Sequence, residues 1–389
     1  MQRIATLSLL VCFYLFTACN EKPEIIYSDY LPEEKALLDQ YLNLPDDLDV
    51  YDPKFLYNMV NAGVVRPRLD RRKAVLGRVL FYDKNLSKDG TISCASCHKQ
   101  ELAFGDNKAV SAGVYGRTGE RNALPLSAVV SFASQYGTDN NGTSALRFFW
   151  DNRSETAVSQ IMASMGNPKE MDMHLDEIVA AVENQPFYSV LFEKAYGDPQ
   201  VLPERVTEAI ASFVNAMGSF QSRFDQGDSD NPSGYVETNF TNFTAAENRG
   251  KTVYLQNCAT CHSSRMTQTA LHNANNGLDA DLTGDPGVGG ITGISSDMGT
   301  FKVPTLRNIA LSAPYMHDGR FQTLEQVVEH YNSGIQDHPN LSPALRTDAY
   351  GAPRRLNLTE AQKQDLVTFL YTLTDESMRT DRRFSNPFK

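Results

Sequence analysis

The chain has 389 residues, 41% of them hydrophobic and 21% charged, with a formal net charge of −11. That length exceeds one small module and fits two domains with extensions, and the composition is that of a globular protein rather than a disordered or collagenous one. The acidic balance argues against a nucleic-acid partner and leaves a small basic protein partner open.

The opening reads as an export signal. Arg3 precedes an apolar run from Ile4 to Phe16, followed by Thr17-Ala18-Cys19. The run is too short to span a bilayer and has the flanks of a secretory signal, which assigns residues 1–19 to a signal peptide. The small residues before Cys19 look like a bacterial lipobox, in which that cysteine is lipidated and becomes the first mature residue. Ordinary cleavage nearby, giving a soluble exported protein, is the alternative. Both place the chain in the periplasm or cell envelope, with the membrane met only through a lipid on Cys19. Residues 20–50 are polar and acidic, carry Pro23 and Pro32, and read as a tether.

A first domain is expected over 51–227. Helical periodicity begins near Asp70, puts Val75, Leu76, Val79 and Leu80 on one face, and ends at the turn 83–90. The stretch Cys94-Ala95-Ser96-Cys97-His98 follows directly. Residues 105–142 are rich in Gly, Ser and Asn and are expected as loops with short helices. Apolar segments recur near 155–165 and 175–195. Proline then opens a helix over 203–220, with Val206, Ala209, Ile210, Phe213, Val214 and Met217 at helical spacing. Residues 228–239, with Gly, Pro, Ser and Asp and no periodicity, are the expected linker.

The second domain, 240–389, repeats the plan. Thr244-Ala245-Ala246-Glu247 is a capping box, and its helix leads into Cys258-Ala259-Thr260-Cys261-His262. A Gly- and Asp-rich loop spans 273–300, and a last helix starts at Thr359 with Leu366, Phe369, Leu370 and Leu373 as its stripe. Period-two alternation is almost absent, so the fold class is mainly α.

Both five-residue stretches have the C-x-x-C-H spacing of c-type haem attachment. Two thiols one short turn apart each bond a vinyl group of the same porphyrin, and the histidine that follows gives the iron a proximal nitrogen. Zinc held by paired C-x-x-C units does not explain a histidine after each pair. A redox dithiol wants a βαβ context that is missing. Cys94, Cys97 and His98 are thus assigned to one covalent c-type haem, and Cys258, Cys261 and His262 to a second. The other two of the six cysteines, Cys12 and Cys19, fall in the export signal.

Further stretches carry a resemblance over about residues 68–375. They are Leu76-Gly77 with Leu80-Phe81, Gly90-Thr91-Ile92-Ser93-Cys94, Phe149-Trp150-Asp151, Lys302-Val303-Pro304-Thr305-Leu306-Arg307-Asn308 and Ala313-Pro314-Tyr315-Met316-His317-Asp318-Gly319. With them the sequence resembles the bacterial di-haem cytochrome c peroxidase family, which includes the MauG enzymes. The resemblance implies two cytochrome c-like domains side by side, each with one covalent haem. The amino-terminal haem would meet hydrogen peroxide. The carboxy-terminal haem would take electrons from a small cytochrome c or cupredoxin.

By position, the resemblance puts Trp150 between the haems, against the alternative of an ordinary core tryptophan. It puts Gln160 and Glu170 in the peroxide pocket, although Lys169-Glu170 alone would read as solvated surface. It puts Asn122 in a calcium site with the carbonyls of Ser312 and Pro314, against the alternative of a plain turn asparagine. Two departures stand out. Where the family has a haem-capping histidine after Ser-x-Gly, this chain has Ser111-Ala112-Gly113-Val114, and valine cannot ligate iron, so the first haem is expected five-coordinate or water-bound at rest. The methionine that caps the family's second haem falls on Tyr331, with His330 as the alternative ligand and a core tyrosine as the plain reading. The leading function is peroxide reduction. The alternatives are a MauG-like oxidase that modifies a partner protein and a di-haem electron carrier without catalysis.

Overall fold

The structure is a computed structural model that describes residues 29–45, 69–127, 147–265, 271–281, 284–348 and 351–389. The export signal, Cys12 and Cys19 lie outside the described residues. Among the described residues no helix is long and apolar enough to cross a membrane.

Two helix-based cores form, one around each C-x-x-C-H motif, and each is built on the same crossing. In the first, Asp70 caps the Arg71–Tyr82 helix by accepting from the Arg72 and Lys73 amides. Every residue from Ala74 to Phe81 is buried, because the helix lies between the Pro203–Ala216 and Tyr188–Tyr196 helices and the first motif. At the crossing a Cβ on Gly77 would sit 1.8 Å from the Ala209 carbonyl oxygen. The second core pairs the Ala245–Asn257 helix, capped by Thr244 and Glu247, with the Glu360–Tyr371 helix, capped by Thr359. Here a Cβ on Gly250 would meet the Asp365 carbonyl oxygen at 1.9 Å. Only a residue without a side chain lets the backbones approach this closely. Gly250→Ala should therefore cost about 1–3 kcal/mol or more as the helices are pushed apart, read as a lower denaturant midpoint with unchanged m-value.

The expected mainly-α class holds. The regular strand structure among the described residues is one antiparallel pair, Asn273–Ala274 with Phe301–Lys302, which closes the Gly- and Asp-rich loop. The helix opened by Pro203 ends at Ala216. The apolar segments before it resolve into the helices Ala157–Gly166, Leu175–Glu183 and Tyr188–Tyr196.

The domain limits differ from those expected over 20–50, 51–227, 228–239 and 240–389. Within the supposed tether, Pro32–Tyr41 is a helix, and Tyr30, Leu38, Leu42 and Leu44 join the first core. Composition hid this, because a few apolar residues among acidic ones are enough to dock a short helix. Within the expected linker Val236 is buried in the second core, and Phe224, ahead of it in the chain, belongs to that core as well. Met217 is the last residue before that point in the first core, so the crossover lies in the short stretch between them. Finally, Met378 and Phe384, expected in the second domain, are buried in the first core.

A buried ion pair locks the crossover. Arg307, on the segment that follows the strand pair, sends Nη1 and Nη2 to Asp225 at 2.8 and 2.7 Å and Nη1 to the Ser219 carbonyl at 3.1 Å. Its guanidinium lies 4.8 Å from the Phe220 ring centroid.

Candidate active site

Each motif forms one helical turn, Cys94–Cys97 and Ala259–His262, at the wall of a cavity. In the first, His98 Nδ1 is 2.9 Å from the Phe104 carbonyl oxygen. In the second, His262 Nδ1 is 2.9 Å from the Pro304 carbonyl oxygen. A carbonyl only accepts, so Nδ1 carries the proton in both rings and Nε2 keeps its lone pair for a metal. Burial lowers the pKa of both imidazoles, which favours the neutral form a ligand needs. None of the four motif cysteines is engaged in a disulfide, which leaves all four for attachment to a porphyrin. These residues fit two covalent haems: paired thiols, an oriented imidazole and a cavity coincide twice.

The two cavities differ in room. The first, about 620 Å³, has Gln160, Ser164 and Glu170 in its wall together with Cys94, Cys97 and His98. The second, about 200 Å³, has Tyr331 and Met316 beside Cys258, Cys261 and His262. Trp150 lines both, as do Asn122, Leu124 and Pro125. The structure therefore brings Trp150 between the motifs. Its indole Nε1 donates to the Asn122 carbonyl at 2.8 Å. Its neighbour Asp151 is held by Arg121 at 2.6 Å and Arg153 at 2.8 Å.

Glu170 is not a solvated surface residue. Asn167 Nδ2 donates to its Oε1 at 2.8 Å, and it also bonds the Ser164 hydroxyl. Burial nonetheless raises its carboxyl pKa above the usual glutamate range, against the pull of those two bonds. Gln160 Nε2 donates to Ser164 Oγ at 3.0 Å, so Ser164 ties the two together. The sequence reading missed Ser164; its place one turn after Gln160 on the same helix was the available signal. Val114 is fully buried and outside the cavity wall, with its amide donating to the Glu170 carbonyl at 2.9 Å. His98 is the only histidine among the described residues that line the first cavity.

At the second motif, Tyr331 sits in a π-helical turn, His330–Gly334, a geometry that often marks functional positions. Burial pushes its phenol up to about 12, and a hydrogen bond with the Asn276 side chain pulls the other way. His330 points elsewhere: Nε2 lies 3.1 Å from the Asn276 carbonyl oxygen, the ring lies against Phe321, and no part of it lines the cavity. Asn122, Ser312 and Pro314 all line the second cavity. Asn122 Nδ2 donates to the Lys108 carbonyl at 3.0 Å, and its amide donates to the His317 carbonyl at 2.7 Å. No cluster of three or more His, Cys, Asp or Glu with metal-holding geometry occurs among the described residues. A site of amide and carbonyl oxygens is a different donor set and is the kind calcium takes.

Two C-x-x-C-H motifs with a polar distal pocket beside one of them define a di-haem oxidoreductase of the peroxidase class. Comparison with known proteins agrees. Residues 71–231 match the di-haem cytochrome c peroxidase family, and residues 247–374 match cytochrome c. The chain is 31% identical to the methylamine utilization protein MauG of Methylorubrum extorquens, covering 79% of this chain and 80% of that protein. It is 33% identical to the cytochrome c551 peroxidase of Nitrosomonas europaea, covering 66% and 71%. Among solved structures, a MauG-like protein associated with microbial copper homeostasis superposes with a TM-score of 0.67 at 34% identity, covering 83% of this chain and 97% of that one. The chain belongs to the di-haem cytochrome c peroxidase and MauG family, and it is an enzyme with two c-type haems.

Proposed function

We propose that the enzyme reduces hydrogen peroxide to water at the His98 haem, with electrons that enter at the His262 haem from a small cytochrome c or cupredoxin. The observation that carries this reading is a half-buried, hydrogen-bonded carboxylate in the wall of the roomier cavity. Held by Cys94, Cys97 and His98 and by Cys258, Cys261 and His262, the haems would relay the donor's electrons and supply a Lewis-acidic iron. The chain's own residues handle protons and position. Glu170 takes the proton from one peroxide oxygen and returns it to the other, which leaves as water. Gln160, steadied by Ser164, orients the peroxide, and Trp150 couples the two sites. Val114 offers no ligand, so a haem held by His98 would stay open on its other side and the diferric enzyme would need no reductive activation. Purified diferric protein should turn over peroxide with a reduced donor; inertness toward peroxide would instead support the electron-carrier alternative.

The base form of Glu170 is the one that starts the reaction. Its raised pKa means that the rate falls as pH drops through a value above the usual glutamate range. A pH–rate profile should show that acid limb, and Glu170→Gln should remove it.

We also propose Tyr331 as the second haem's sixth ligand. A phenolate stabilises ferric iron, whereas methionine raises the potential. Tyr331→Met should raise the second haem's midpoint by on the order of 0.1–0.3 V, within the roughly 0.8 V that axial ligands span, as read by spectroelectrochemistry. Tyrosine at this position and the open first haem favour the second reading, a MauG-like oxidase that spends peroxide on a partner protein; slow turnover with every small donor would point to it. The remaining assignments are an oxygen-donor calcium site at Asn122, Ser312 and Pro314, testable by chelation, and an envelope location with a lipid on Cys19, testable by mass spectrometry of the exported protein.

A further inference from the structure

The segment Asp375–Lys389 leaves the second unit and ends on the first, and it lands on the turn that orients His98. That turn is demanding. Ala103 and Phe104 adopt φ of 54° and 62°, two successive non-glycine residues in the left-handed region, which persist only where the surroundings over-determine them. Inside the turn, the Phe104 amide donates to the Lys99 carbonyl at 2.8 Å and the Lys99 amide to the Gly105 carbonyl at 2.9 Å. Its product is the Phe104 carbonyl, aimed at His98 Nδ1.

The outer side of the turn is held by the tail. Gln100 Nε2 donates to the Met378 and Asp381 carbonyls at 3.2 and 2.8 Å, and Arg379 Nε donates to the Glu101 carbonyl at 3.3 Å. The buried Phe384 ring meets Phe104 edge-on, with centroids 6.5 Å apart and planes at 89°. Phe384 is fixed in turn by Tyr82, whose hydroxyl donates to its carbonyl at 2.7 Å, and by Arg78, whose Nε donates to the Ser385 carbonyl at 2.7 Å.

The tail is rooted at the other motif. The Asp375 amide donates to Asn308 Oδ1 at 2.8 Å, and the Asn308 amide donates to the Leu373 carbonyl at 3.0 Å. Asn308 closes the same Lys302–Asn308 segment whose Pro304 carbonyl orients His262. Backbone, side-chain hydrogen bonds and one ring contact thus link the two groups that orient the motif histidines.

We propose that Asp375–Lys389 is a positioning strap for the first haem's proximal ligand, with Gln100 and Phe384 as its positioning residues. By pinning the turn at residues 99–105 it keeps the Phe104 carbonyl on His98 Nδ1, and so sets the orientation and basicity of the imidazole. The proposal rests on the assignment of a haem to His98. It adds that the ligand's strength is set by residues from the far end of the chain.

The test uses the full-length holoprotein with Phe384→Ala, Gln100→Leu and, as a control, Phe388→Ala. Phe388 belongs to the same tail but packs on Phe187, away from the turn. The readouts are the iron–histidine stretching band of the ferrous first haem in resonance Raman and the midpoint potential of each haem. Phe384→Ala and Gln100→Leu should shift that band to lower frequency and raise the first haem's potential, leaving the second haem unchanged. Phe388→Ala should lower Tm alone. Gln100→Leu keeps the side-chain volume outside the core and carries the test if Phe384→Ala does not accumulate. A wild-type band and potential in Gln100→Leu, or in an accumulating Phe384→Ala, overturns the strap and leaves the tail a structural cap. Fewer than two haems per wild-type chain by pyridine haemochrome assay overturns the haem assignment itself, and the strap with it.

Discussion

Glu170→Gln is expected to lower peroxide turnover by about 10²–10⁴-fold, the usual contribution of a positioned general acid–base group. The substitution keeps the size of the side chain, and the glutamine carbonyl can still accept from Asn167 Nδ2, which donates to Oε1 in the native protein. What it loses is the ability to take a proton from one oxygen and give it to the other. Haem content, the absorption spectrum and Tm should therefore stay close to wild type while the rate falls. A glutamine variant that retained wild-type turnover would assign the proton transfer to another group. Gln160→Leu should have a smaller effect, because its amide orients and does not exchange protons.

Arg307→Ala is expected to destabilise the fold by about 3–5 kcal/mol, the range for breaking a buried ion pair by removing one partner. Both side chains are almost entirely buried. Removing the guanidinium leaves the Asp225 carboxylate in the interior with the Ser222 amide and hydroxyl, at 3.1 and 2.7 Å, as remaining donors. It also frees the Ser219 carbonyl and uncovers Phe220. Lysine should not rescue the loss, because one ammonium cannot reproduce the two-pronged contact to Asp225. Chemical denaturation would read the change directly, and Asp225→Asn should be similarly harmful because it strands the arginine.

The candidate haem-binding residues were legible in the sequence because their chemistry is carried by side chains at fixed spacing. Cys94, Cys97 and His98 need one turn of chain and nothing else, and the same holds for Cys258, Cys261 and His262. Helix starts were legible for a similar reason: Asp70, Thr244 and Thr359 cap the helices they precede in the sequence. The groups that orient the histidines were not, since the acceptors are the carbonyls of Phe104 and Pro304, and every residue offers a carbonyl. The choice between Tyr331 and His330 for the cavity wall needed three dimensions, because a π-turn changes which neighbour faces inward. Which core Leu38, Val236 and Phe384 join was not legible, because composition averages over a window, whereas docking depends on single residues.

Residues 388 and 389 pair with the end of the Pro32–Tyr41 helix. Leu42 pairs with Phe388, and the Lys389 amide donates to the Tyr41 carbonyl at 3.1 Å. The enzyme is therefore not two haem carriers in a row that a gene could shed one at a time. Cutting the coding sequence at residue 230 would strip Met378 and Phe384 from the amino-terminal product and leave the carboxy-terminal product with a bare apolar tail. The two pieces, expressed as separate chains, should therefore accumulate less than the intact chain, because each lacks contacts that complete a core.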